Sequence, residues 1–156
     1  MTHEDFMKEA ILLAIRGLKN NEGGPFGCVV VKDGKIVGKG NNQVTSTNDP
    51  TAHAEVVAIR DACKNLGTFQ LEGCVIYTSC EPCPMCLGAI YWARPSQIYY
   101  ACTREDAANI QFDDDFIYQE ISKPLSDRAI QILPLLREEG LKAFEAWKDK
   151  QDKIAY

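Results

Sequence analysis

Apolar side chains at Phe6, Met7, Ala10, Ile11, Ala14, Ile15 and Leu18 recur at i, i+3 and i+4, which predicts a helix over Glu4–Leu18 with one buried face. The stretch Asn20-Asn21-Glu22-Gly23-Gly24-Pro25 ends it. Phe26–Val31 is then a β-branched run, Asp33-Gly34 signals a hairpin turn, and Lys35–Lys39 continues as a second strand. A polar loop follows to Asp49-Pro50, where Asp49 as N-cap and Pro50 at the first helical position predict the next helix. Its apolar face uses Val56, Val57, Ile59, Ala62, Cys63 and Leu66, and Gly67 stops it.

Cys74–Tyr77 reads as a short strand, and Pro84–Ala93 as a helix that Arg94-Pro95 terminates, because the residue before a proline resists the helical region. Gln97–Ala101 is a fourth strand, and Arg104–Ser122 is helical in pieces. Ala129–Leu133 suggests a fifth strand, and Leu135–Lys150 a closing helix with Leu136, Leu141, Phe144 and Trp147 inward. Alternating helix and strand after a hairpin predicts a single α/β domain over residues 1–156, with helices on both faces of a mixed sheet.

Charge narrows the function classes. The formal net charge is -5, which supplies no electrostatic footprint for nucleic acid. No apolar run approaches the roughly 20 residues of a membrane helix, and the acidic Met1-Thr2-His3-Glu4-Asp5 lacks the pattern of a secretory signal. The expected compartment is the cytoplasm. Seven cysteines, several inside apolar periodic segments, fit buried thiols plus a metal site better than a disulfide framework.

The candidate chemistry lies in Thr51-Ala52-His53-Ala54-Glu55 and in Thr78-Ser79-Cys80-Glu81-Pro82-Cys83-Pro84-Met85-Cys86. With Pro84 opening a helix, Cys83 sits at its cap and Cys86 one turn on, so both thiolates can face one way where the helix N-terminus favours anions. His53 supplies a third zinc ligand; His3, near the terminus, is a poor competitor. Three protein ligands leave the open position that catalytic zinc uses. Glu55 need not bind the metal and can serve as general base. Two other readings stand beside this one. Cys80 as a fourth ligand would close the site into a structural one. A redox pair at Cys83 and Cys86 would leave His53 and Glu55 without a role.

His53-Ala54-Glu55 with Pro82-Cys83-Pro84-Met85-Cys86 is the H-x-E…P-C-x-x-C signature of zinc nucleobase deaminases. Together with Pro25-Phe26-Gly27, Asn42, Asn48-Asp49-Pro50-Thr51, Tyr91-Trp92, Phe112-Asp113-Asp114 and Tyr156, the chain resembles the small bacterial guanine deaminases of the cytidine deaminase-like superfamily. The resemblance implies a three-layer α/β/α sandwich around a five-stranded mixed sheet and a Zn2+ cofactor. It implies guanine as the small-molecule substrate, and a homodimer that exchanges C-terminal segments. It further implies Phe26 and Trp92 lining the base, Asn42 and Asp114 bonding it, the backbone at Ala54 beside it, and Tyr156 capping it from the partner chain. The nearest rival is a tRNA adenosine deaminase, which shares the signature but needs a phosphate-binding surface.

Overall fold

The computed structural model describes residues 1–156. Its elements are α1 (His3–Lys19), β1 (Gly27–Lys32), β2 (Lys35–Asn41), α2 (Val44–Thr47), α3 (Ala54–Leu66), β3 (Val75–Cys80), α4 (Pro84–Ala93), β4 (Gln97–Cys102), α5 (Arg104–Asn109), α6 (Asp115–Ser122), a short 3-10 turn (Leu125–Asp127) and α7 (Arg137–Asp149). They group into two compact units, Met1–Asp115 and Phe116–Tyr156.

The first unit holds a four-stranded mixed sheet in the order β2-β1-β3-β4. β1 runs antiparallel to β2 and β3, and β3 runs parallel to β4. At the hairpin turn Asp33 and Gly34 both take positive φ (50° and 73°), as the two-residue turn between right-twisted strands requires. Alternation along the strands sorts the core into two layers. Cys28, Val30 and Ile76 face Ala54, Ala58 and Ala62 of α3 and Ile90 and Ala93 of α4. Val29, Val31 and Tyr77 face Phe6 and Ala10 of α1. The result is a three-layer α/β/α sandwich, with α1 on one face and α3 and α4 on the other.

The anticipated fifth strand is absent. Residues 128–136 form neither helix nor strand, and Pro134 among them has no N–H to give a ladder. The closing helix α7 forms but buries none of its residues, so Leu136, Phe144 and Trp147 are exposed rather than inward. On α1 the buried residues are Phe6, Ala10, Ala14 and Gly17, and Ile11, Ile15 and Leu18 are exposed. Around Ala10 and Ala14 the helix lies close on the sheet: a Cβ on Gly27 would meet the Ala10 carbonyl oxygen, so small residues face each other there.

α3 starts later than its sequence suggests. The Asp49 carboxylate accepts from the Thr51 N–H and hydroxyl (2.8 and 2.7 Å), a local turn that uses the side chain expected to cap the helix. The N-cap is instead His53, whose side chain makes no capping bond. That leaves the imidazole available for other partners.

Candidate metal centre and active site

Two helix starts converge. His53 caps α3 and Cys83 caps α4, with Pro84 at the first helical position. The Cys83 sulfur accepts from the Cys86 N–H (3.5 Å), which sets both sulfurs on one turn. His53 Nδ1 lies 3.5 Å from the sulfur of Cys83 and 3.5 Å from that of Cys86. All three potential ligand atoms fall within 4.8 Å of one another.

These spacings suit zinc. Zn–S bonds of about 2.3 Å and a Zn–N bond of about 2.0–2.1 Å at a tetrahedral angle give an S···N edge of about 3.5 Å. The donor set of one imidazole and two thiols is that of known catalytic zinc sites, and three ligands leave a fourth position open.

The charges agree with this assignment. The Cys83 thiol is lowered to about 4, first by the Cys86 thiol that hydrogen-bonds it and then by His53 and the Cys86 N–H. Cys86 is driven upward by the same contact with Cys83, then by burial and Glu55. Two thiols this close share one proton, and a cation between them would displace it. His53 is raised, chiefly by its bond to Cys83.

Cys80 does not belong to the cluster. Its thiol donates to the Thr103 carbonyl oxygen (3.6 Å), and burial pushes it up to about 12. The closed four-ligand reading therefore loses its fourth member. His3 is engaged elsewhere, with Nδ1 2.6 Å from the Tyr77 hydroxyl.

Glu55, in the first turn of α3, is only 7% exposed. Burial raises its carboxyl, while hydrogen bonds from its own backbone and from Thr78 hold it down. The Thr78 hydroxyl donates to Glu55 Oε1 (3.0 Å). Ala54 beside it is fully buried.

At the open end of the hairpin, the Asn42 N–H donates to the Phe26 carbonyl (3.0 Å). Asn42 Oδ1 accepts from the N–H groups of Gly24 (3.3 Å) and Val44 (3.1 Å). These two bonds commit the Asn42 oxygen to the backbone and leave its NH2 as a donor, where the residue type alone allows both roles. The Phe26 ring stands edge-on to Phe112, 5.0 Å between centroids at 90°. Asp114 is half-buried and close enough to raise His53; its own carboxyl is raised by burial and then by Cys83, against the pull of Arg104.

Two more of the residues singled out in the sequence are exposed. Trp92 is 63% exposed on α4, and six residues of helix turn it about 120° from the direction of Cys86. Tyr156 is 70% exposed at the end of the second unit. Conversely, the sequence assigns no role to Thr78 or Phe112. A threonine at the core-facing position after Ile76 was the available signal for the first.

A helix-flanked mixed sheet with a His/Cys/Cys cluster and a buried glutamate beside it defines a zinc-dependent hydrolase of the deaminase type. Residues 1–102 match the family described as the cytidine and deoxycytidylate deaminase zinc-binding region, and the chain belongs to that family. It is 56% identical over 156 residues to a guanine deaminase of Bacillus subtilis, covering 100% of both chains. The crystal structure of a guanine deaminase from the same species superposes with a TM-score of 0.97, covering 100% of this chain and 99% of that one. A tRNA-specific adenosine deaminase of Aquifex aeolicus is 42% identical over 101 residues, 65% of this chain and 66% of its own.

Proposed function

We propose that this protein deaminates guanine hydrolytically to xanthine and ammonia, as one deaminase domain. The observation that carries the reading is the 56% identity to a guanine deaminase along the whole chain, against 34–42% over 100–128 residues for tRNA-specific relatives. The net charge of -5 also offers little for a polyanion.

In this reading His53, Cys83 and Cys86 hold zinc, which when bound lowers the pKa of a water in its open position to about 7. Glu55 takes one proton from the attacking water and passes it to a ring nitrogen, then takes the proton of the hydroxyl so formed on the carbon and gives it to the amino group, which leaves as ammonia. Its burial suits it to hold a proton between these transfers. Asn42 donates to an acceptor on the purine edge, and Asp114 accepts from ring N–H groups, which guanine offers in greater number than adenine. Phe26, braced by Phe112, packs on the ring, with the Ala54 backbone beside it.

We further propose a homodimer in which residues 116–156 of one chain serve the site of the other, with Tyr156 and Trp92 reaching a base only in that assembly. Supporting this are the exposed apolar side chains of α6, α7 and the segment between them, together with Tyr91 and Trp92 on α4. No helix is long and apolar enough to cross a membrane, and a cytoplasmic location accords with a purine substrate.

The test is ammonia release by the zinc-loaded protein from guanine, adenine, cytosine and a tRNA anticodon stem. Xanthine formed from guanine is expected; turnover of tRNA alone would overturn the proposal.

A further inference from the structure

Every position of β3 that faces α3 and α4 would be expected to be apolar, and Ile76 is. Thr78, two residues on, shares that face and pairs in register with Cys28 of β1. It is 1% exposed, and its hydroxyl has one hydrogen-bond partner, Oε1 of Glu55 at 3.0 Å. Valine has nearly the same shape and equal strand preference, so packing does not explain the hydroxyl.

We propose that Thr78 is the positioning residue of the general base, its hydroxyl holding the Glu55 carboxylate in one orientation beside the His53, Cys83 and Cys86 cluster. Three features support the assignment. A carboxylate on the first turn of a helix has several rotamers, and an O–H from a neighbouring strand selects one of them. Donor and acceptor come from different elements, so the bond also fixes the first turn of α3 against the C-terminal half of β3. And Thr78 sits two residues before Cys80 on the strand that leads into Cys83, so the ligand-bearing turn and the base are referenced to the same piece of backbone. Proton transfer requires a heavy-atom approach of about 2.6–3.2 Å, which a freely rotating carboxylate meets only part of the time.

The proposal rests on Glu55 acting as the base, and the experiment separates the two. Thr78→Val, Thr78→Ala, Thr78→Ser, Glu55→Gln and the Thr78→Val/Glu55→Gln pair are compared with wild type, each loaded with zinc and assayed for metal content, kcat and KM on guanine. Thr78→Val should retain one zinc per chain and lose about tenfold to a hundredfold in kcat, with KM changed less than about threefold. Thr78→Ser should recover most of the loss, and Thr78→Val should cost nothing further once Glu55 is glutamine. If Thr78→Val does not fold, Thr78→Ala must show the same split. Independently of any substrate, the infrared carboxyl band assigned to Glu55 by its loss in Glu55→Gln should shift in Thr78→Val and return in Thr78→Ser. An unmoved band, wild-type kcat in both hydroxyl-free variants, or an equal loss in the Glu55→Gln background overturns the positioning role. Full activity of Glu55→Gln would instead remove the base assignment, and an inactive wild type with the band shift intact would remove guanine alone.

Discussion

Placing a single methyl group on Gly40 should disable the site while the protein stays folded. Gly40 lies in β2 under the first turn of α3, and a Cβ there would stand 2.3 Å from the Ala54 carbonyl oxygen and 2.5 Å from the Ala58 nitrogen. Both are backbone atoms, so no side chain can swing aside. Ordinary van der Waals separation begins near 3.4 Å, so the first turn of α3 must recede by about 1 Å, carrying His53 and Glu55 with it. Overpacking of this kind costs about 1–3 kcal/mol, a fall in Tm of about 2–12 °C for a chain of this size. A displacement of about 1 Å between reacting groups costs about a hundredfold in rate. Gly38→Ala is the matched control. Its Cβ meets the Ala58 carbonyl oxygen at 2.5 Å and Ala62 Cβ at 2.6 Å, further along α3 from His53. Thermal melts should show comparable destabilisation for the two variants, while ammonia release should fall much further for Gly40→Ala. Equal activity losses, or Gly40→Ala turning over within about threefold of wild type, would refute the idea that the glycines set the height of α3 over the sheet for the sake of the site.

Three further outcomes are expected. Glu55→Gln should keep its zinc, measured by atomic emission, and lose about 10²–10⁴ in kcat; loss of metal would make Glu55 a ligand. Cys80→Ala should still bind one zinc per chain, since the Cys80 thiol bonds the Thr103 carbonyl instead; a halved metal content would restore the closed site. Gly88 shares the exposed side of α4 with Tyr91 and Trp92, so Gly88→Ala should weaken the proposed dimer in sedimentation equilibrium without loss of zinc. An unchanged dimer that melts higher, as alanine in a free helix would give, would exclude this face from the interface.

Much of the first unit is legible in the sequence, because local rules and the final fold agree there. Asp33-Gly34 makes the turn that its residue types favour, and Pro84 opens α4 with Cys83 as cap. The metal cluster is legible from the spacing of Cys83 and Cys86 with His53 and Glu55, while setting Cys80 aside needs the structure. The start of α3 was misplaced because Asp49 satisfies a helix-cap pattern equally well as a local turn, and only the Thr51 bonds decide between them. Apolar periodicity located α1 and α7 but not which of their faces is covered. It marks apolar side chains without saying which of them the fold of one chain covers. Thr78 escaped notice for another reason: its partner is 23 residues away in sequence, and nothing in a lone strand threonine announces a carboxylate above it.

His53, Cys83, Cys86 and Glu55 all lie in the Met1–Asp115 unit, and residues 116–156 form a unit of their own. That partition gives evolution a fault line. Substitutions or insertions among the last 41 residues replace none of His53, Cys83, Cys86 or Glu55, so that segment can vary in sequence while the residues of the chemistry stay the same.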